Sequence, residues 1–387
     1  MTAAGEDENV LKLLHTADWH LGRRFRSFPD DRKLTRARLD ALDKILLLAE
    51  HYMVHAVLCA GDLFDEPCPA AEWWQEVATR FAARAWKDRP VFLLPGNHDP
   101  CLPDSVWAKD HRFRRLLPHW VHVVDREDFE FALPGNAVLH AVPCMSKSGA
   151  NDPTESIPRR EAGDERIRIG MVHGSTIDAR DWQVHFPIAA EAAVLRGLDY
   201  LAIGDTHGFR FVPPDRKVPP MVYPGTPEQT AFDERDAGHV AVVLINRQRR
   251  ATVEKVRVGH WTWEEHEIRD LRGLRELRDR ADLPETVVRL RLDLRLPAPE
   301  YEEAVRLLDD LEGTSAKQGR VGVLDLDRLG LALDASTIDA YCTELSGVLQ
   351  AAVHKLKAAT LQPERRAVAE RALVHLYRLS RKASGCA

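Results

Sequence analysis

Apolar residues fall along this chain in short runs separated by polar, Gly- and Pro-containing punctuation. Val10 to Ala17 is one such run and predicts a buried strand. From Asp31 to His51 the period changes: Leu34, Leu39, Leu42, Ile45, Leu46 and Ala49 share one helical face. Val54 to Ala60 predicts a second buried strand ending at Gly61, Ala70 to Trp86 a helix, and Pro90 to Leu94 a third strand ending at Pro95-Gly96. Strand alternating with helix in this way is the pattern of a layered α/β domain.

Short strands follow near Trp120 to Val124, Asp128 to Leu133 and Ala137 to Val142, then a polar, mobile loop from Ser146 to Asp164. Ile167 to Val172 predicts a strand ending at His173, Ile188 to Arg196 a helix, and Tyr200 to Ile203 a strand ending at Gly204. Strands at Val240 to Ile245 and Thr252 to Val258 are expected to close a second sheet. Beyond His260 the pattern shifts. Glu264 to Ala281 reads as a charged amphipathic helix, and Thr286 to Leu296 alternates as a half-buried strand. A helix from Pro299 to Leu311 and a strand near Val321 to Leu326 complete a small α+β unit; from Ala335 the chain reads as helices broken at Pro363. The expected division is 1–260, 261–334 and 335–387.

At 387 residues with 44% hydrophobic content, the chain has room for more than one core. Its formal charge of −6 does not advertise binding of nucleic acid by bulk charge. Basic clusters nevertheless occur at Arg23, Arg24 and Arg26, at Arg112, Arg114 and Arg115, and at Arg159 and Arg160. Six scattered cysteines form no C-x-x-C pair, which argues against a zinc knuckle. No export signal opens the chain and no apolar run approaches the ~18 residues of a membrane span, so a cytoplasmic location and no membrane partner are expected.

The informative polar residues stand at the predicted strand ends. Asp18 and His20 follow the first strand, Asp62 the second, and Asn97 and His98 the third; His173, then Asp205 and His207, follow two later ones. Ligands gather at the carboxyl ends of strands in layered α/β folds. Any one Asp-x-His is common without a metal, but five strand ends carrying such side chains in order are not. Carboxylate, imidazole and amide oxygen suit Mn²⁺, Fe²⁺ or Zn²⁺. Two such ions about 3.5–4 Å apart clamp a phosphate, and Asp62 is placed to bridge them.

The segments Asp18-Trp19-His20, Gly61-Asp62-Leu63-Phe64-Asp65, Gly96-Asn97-His98-Asp99, His173-Gly174 and Gly204-Asp205-Thr206-His207 resemble the motif series of the calcineurin-like metallophosphoesterases. Leu14-His15-Thr16-Ala17-Asp18-Trp19-His20-Leu21-Gly22 and Tyr223-Pro224-Gly225-Thr226-Pro227-Glu228 are similar to segments of the SbcD-like DNA repair exonuclease branch. The resemblance implies a four-layer αββα sandwich with a small α+β capping domain and a C-terminal helical tail. It implies Asp18, His20 and His207 on a first metal, Asp62 bridging, and Asn97, His173 and residue 205 on a second. His98 would contact the scissile phosphate and protonate the leaving oxygen. Position 205 departs from the family, which more usually has histidine there; aspartate, a harder ligand, shifts the expected preference toward Mn²⁺ or Mg²⁺.

DNA is the implied substrate, with Arg23, Arg24 and Arg26 holding backbone phosphates at the rim. An SbcC-like coiled-coil ATPase is the implied partner, docking on the tail, where Val368, Ala372, Leu373, Leu376 and Leu379 form an apolar stripe. A homodimer follows only from the likeness. Two other readings are a small-molecule phosphoesterase of the same superfamily and a non-catalytic regulatory subunit.

Overall fold

The computed structural model describes residues 9–84, 86, 89–176, 184–214, 220–314, 317–334 and 347–383. The chain divides into two compact units, Met1–Trp261 and Thr262–Ala387.

In the first unit the elements run β1 (Asn9–Thr16), α1 (Arg32–His51), β2 (Ala56–Cys59), α2 (Ala71–Ala82), β3 (Val91–Leu93), α3 (Arg112–Leu116) and β4 (Val121–Val123). They continue with β5 (Phe129–Leu133), β6 (Ala137–Val142), β7 (Ile167–His173), α4 (Ala192–Arg196), β8 (Tyr200–Gly204), β9 (Arg210–Val212), β10 (Met221–Tyr223), β11 (His239–Asn246) and β12 (Ala251–Arg257). Two six-stranded sheets result, ordered β12-β11-β1-β2-β3-β4 and β5-β6-β7-β8-β10-β9. Side-chain alternation makes the layers. Leu11 and Leu13 on β1, with Ala56 and Leu58 on β2, pack between the sheets against Leu139, Ile169 and Tyr200. Leu14 and Val57 point the other way, onto the buried faces of α1 and α2. On the far side of the second sheet Val172, Leu201 and Ile203 pack under Ile157, Ala192 and Ala193. This is an αββα sandwich. Each fully buried Leu or Ile in it is worth about 1.5–3 kcal/mol.

Register positions the site. β1, β2 and β3 run parallel, and Thr16 pairs with Cys59 while Cys59 pairs with Leu93. The three strands therefore end level, and the loops carrying Asp18, Asp62 and Asn97 leave side by side. In the second sheet His173 pairs with Gly204, which brings the ends of β7 and β8 level too.

Several expectations need correction. The strands at 239–246 and 251–257 do not close the second sheet; β11 pairs antiparallel with β1 and extends the first. The second sheet is completed by the three-residue strands β10 and β9, too short to leave a period in the sequence. The helix expected from Ile188 is confined to Ala192–Arg196, because Ile188 is held in a β-bridge with Thr176. The loop from Ser146 to Asp164 is pinned. Asp152 caps a 3-10 turn at Pro153–Ser156, Ile157 is buried, and Arg160 donates to the Gly197 carbonyl and to Asp199.

The second unit holds β13 (Thr262–Ile268), α5 (Leu271–Arg278), β14 (Thr286–Leu292), β15 (Leu294–Leu296), α6 (Ala298–Glu312), β16 (Gly313–Thr314), β17 (Lys317–Gln318), β18 (Val323–Asp327), β19 (Leu331–Leu333), α7 (Gly347–Thr360) and α8 (Arg366–Ala383). The single helix expected over Glu264 to Ala281 is two elements. Thr262–Ile268 pairs in parallel with β14 and buries Trp263 and Ile268, so tertiary pairing overrides the helical preference of its Glu residues. Asp270 then caps α5 by accepting from the Gly273 amide at 2.7 Å. The strand expected over Thr286 to Leu296 breaks at Asp293 into β14 and β15, which belong to different sheets. Of the expected tail helices, 335–346 lies outside the described residues. In α8 the apolar stripe splits: Leu373 and Leu376 pack into the unit's core, while Val368 and Leu379 are exposed. No helix among the described residues is long and apolar enough to cross a membrane.

Candidate metal centre

The loops after β1 and β2 are zipped together past the ends of their strands. Asp18 N donates to the Gly61 carbonyl, His20 N to that of Asp62 and Leu21 N to that of Leu63, each at 3.0 Å. These bonds hold Asp18, His20 and Asp62 at φ of 55°, 43° and 53°, a region L-residues seldom adopt and one that concentrates at functional sites. The turn needs a glycine at 61. Its φ is +100°, and a Cβ there would run into the His173 ring. Asp99, fully buried, accepts from the Gly96 and Phe64 amides at 2.9 and 3.0 Å and so fixes the turn that presents Asn97.

The strand ends bring the expected side chains into two adjoining groups. Asp18, His20 and His207 offer donor atoms within 4.8 Å of one another, and so do Asp18, Asp62 and His173. Asp62 Oδ2 stands between the groups, 3.6 Å from His20 Nε2 and 3.5 Å from His173 Nε2. Asn97 Oδ1 lies 2.9 Å from His173 Nε2. Asp205 is brought to the same place. Its Oδ1 is 3.9 Å from His173 Nε2, and its amide donates to both oxygens of Asp18 at 3.0 and 3.1 Å.

His98 stands beside these groups, its ring 4.7 Å from that of His20, and is exposed. Its Nδ1 faces the Asp65 carbonyl at 3.2 Å, and its amide donates to Asp62 Oδ1 at 2.9 Å. The arginine cluster does not act as one. Arg23 reaches Asp65 at 3.4 Å, Arg24 pairs with Asp31 at 3.0 Å, and Arg26 is exposed.

Three acidic residues that strand-end reasoning passed over complete the surroundings. Asp65 faces His20 Nδ1 at 3.1 Å, Asp99 locks its turn, and Glu234 meets His207 Nδ1 at 2.5 Å. The first two lie inside the motif segments, and their position there was the available signal. Glu234 lies 27 residues beyond His207, in a loop with no pattern that marks it.

Hydrogen-bond partners orient two of the imidazoles, and the atoms turned inward test whether cations fit. A carbonyl or carboxylate oxygen only accepts, so His173 donates its Nδ1–H to the Ala60 carbonyl at 2.9 Å and His207 donates its own to Glu234. With Nδ1 of His173 and of His207 so engaged, each ring turns its Nε2 atom inward, where His20 Nε2 joins them. These atoms meet each other or oxygen: His20 Nε2 faces His207 Nε2 at 3.0 Å, and His173 Nε2 faces Asn97 Oδ1 at 2.9 Å. Imidazole nitrogens and an amide oxygen gathered this closely beside carboxylates in a buried site are a donor set that suits divalent cations.

The charges agree. Asp18 and Asp62 are buried, and among the described residues neither is paired with Lys or Arg. Burial pushes the Asp18 carboxyl up to about 7, opposed by His173 and His207. Burial alone would lower His173, but the carboxylates of Asp62, Asp18 and Asp205 lift it to about 9. Burial takes His20 down to about 4. A buried carboxyl that resists charging, ringed by imidazoles and further carboxyls, is the setting that bound cations stabilise.

An αββα sandwich whose strand ends converge on such a centre defines a metallophosphoesterase architecture. Residues 11–209, just over half the chain, match the calcineurin-like phosphoesterase family, and the chain belongs to it. It is 27% identical over 139 residues to the SbcD subunit of nuclease SbcCD from Bacillus subtilis, covering 35% of this chain and 34% of that one. It is 32% identical over 171 residues to the Rhodobacter capsulatus protein of the same name, covering 43% and 39%. It is 23% identical over 246 residues to "Uncharacterized metallophosphoesterase YhaO" of B. subtilis, covering 61% and 58%. The matched stretches thus span from about a third to under three fifths of these relatives' lengths.

Proposed function

We propose that this protein is a two-metal phosphodiesterase that hydrolyses DNA, working on DNA ends in repair or processing. The observation that carries this reading is the convergence of three inward Nε2 atoms on two buried carboxylates, neither of them paired with Lys or Arg among the described residues. Asp18, His20 and His207 hold one ion, Asn97, His173 and Asp205 the other, and Asp62 bridges. The proposed ions are Mn²⁺, with Mg²⁺, Fe²⁺ and Zn²⁺ as alternatives; three carboxylates and an amide oxygen favour the harder cations. When bound, such ions supply Lewis-acid neutralisation of the phosphate and a nucleophilic water at neutral pH.

The chain's own residues do the rest. His98, with Nδ1 donating to the Asp65 carbonyl, keeps Nε2 for the departing sugar oxygen and gives it a proton when the ring is charged. Asp65 contacts both His20 and Arg23, and Arg23, Arg24 and Arg26 are the proposed contacts to the DNA backbone at the rim. DNA as substrate is supported by relatives named as nuclease subunits. Their name also supports an SbcC-like ATPase as partner. In this reading 1–260 is the nuclease domain, 261–334 a capping domain and 335–387 the docking segment.

The longer match, to YhaO, carries no nuclease name, and a second reading therefore stands beside the first, a phosphoesterase acting on smaller esters. Purified full-length chain with Mn²⁺ should degrade linear duplex or single-stranded DNA and stop on EDTA addition. Hydrolysis of p-nitrophenyl phosphate esters with DNA left intact would replace the first reading by the second.

A further inference from the structure

The segment between β10 and β11 carries no ligand, yet it is bound to the His207 loop at several points. Thr226 N donates to the His207 carbonyl at 2.9 Å, and Phe209 N donates to that of Asp236 at 3.0 Å. Between these two anchors Glu234 turns inward, with only 12% of its side chain exposed. Both of its carboxylate oxygens are used. Oε1 receives His207 Nδ1–H at 2.5 Å and the Thr230 hydroxyl, and Oε2 receives the Thr230 amide at 2.6 Å. Gln229 Nε2 holds the Glu234 carbonyl at 3.0 Å, fixing the backbone as well. A side chain held by this many bonds has little freedom except to receive the imidazole N–H.

We propose that Glu234 is a positioning residue that, backed by Thr230, fixes the tautomer and ring angle of His207 and so sets the affinity of one of the two metal sites. The inference rests on His207 being a metal ligand. A carboxylate cannot donate, so Nδ1 carries a proton and Nε2, turned toward His20, is the atom left to ligate. The negative charge behind the ring also raises its basicity as a ligand.

The test uses full-length, metal-stripped wild type, Glu234→Gln and Glu234→Ala. Mn²⁺ uptake is measured by calorimetric titration, and the His207 tautomer by ¹⁵N imidazole NMR on the metal-free protein. Wild type should take up two ions and show Nδ1–H. Glu234→Ala should weaken one of the two ions by about 10–100-fold, leave the other unchanged, and shift His207 toward a tautomer mixture. Glu234→Gln, which keeps an accepting oxygen without its charge, should fall between. The inference is overturned if both variants bind two ions as tightly as wild type, or if both sites weaken together with the melting temperature of the metal-free protein, which would make Glu234 a structural clasp. Failure of wild type to take up any ion would instead overturn the reading of the centre.

Discussion

His98 forms a third close group with His20 and Asp65 beside the proposed cage, and its proposed role as general acid rather than ligand is testable. Its backbone amide supports Asp62, but its ring does not, so removing the ring leaves the Asp62 contact in place. His98→Ala is expected to keep its metal content and lose about 10²–10⁴-fold in turnover, the range of a general-acid step. Near-normal hydrolysis by the mutant would remove the assignment. At this scale the sequence was informative wherever a residue type and a strand end coincided. Asp18, His20, Asp62, Asn97, His173, Asp205 and His207 all stood out in that way. Position 205 was legible as a departure, and the structure gives its side chain and its amide separate contacts: the carboxylate approaches His173, and the N–H holds Asp18. Glu234 was not legible, because its only signal is contact with His207 across 27 residues of chain. The arginine cluster was legible as charge but not as geometry. Asp31 draws Arg24 away while Asp65 draws Arg23 in, and neighbours in sequence part company.

Strands and their ends carry the precision of the site. Gly61 lies where two loops and the His173 ring crowd one point, so any Cβ there must displace the imidazole or the turn. Gly61→Ala is expected to keep its circular dichroism while losing bound Mn²⁺ and hydrolysis, measured by elemental analysis and DNA degradation. Retention of full metal content would mean that the tight turn is incidental. The central strands were legible because burial on both faces makes them continuous apolar runs. Their partners were less so. β11 and β12 showed themselves as strands, but nothing in a local pattern says which sheet a strand will join, and pairing with β1 put them in the first. In the second unit the Glu-rich stretch ahead of Asp270 resembled a helix because its alternation is weak. Only pairing with β14, which buries Trp263 and Ile268, decides for the strand.

Across the molecule, the net charge of −6 includes the acidic residues of the proposed metal centre, so acidity overall and the proposed affinity for a phosphodiester do not conflict. Stability should also depend on a buried group outside the ligand set. His15 bonds the Tyr200 hydroxyl at 2.8 Å, and burial pushes its imidazole from 6.5 down to about 3. The folded state resists a proton that the unfolded chain accepts, so this contribution is intact above pH 6.5 and is lost progressively as pH falls toward 3. Between pH 7 and 5 its share is about 2 kcal/mol. Urea unfolding of metal-free protein should show that loss in wild type and a shallower one in His15→Gln; equal slopes would exclude it. The central claim concerns the cage itself, and anomalous diffraction at the manganese edge from crystals grown with Mn²⁺ tests it most directly. The account predicts two peaks about 3.5–4 Å apart, one within bonding distance of His20 and His207, the other of Asn97 and His173, with Asp62 touching both. A map with no peak among these side chains, or with both peaks elsewhere on the protein, would contradict it.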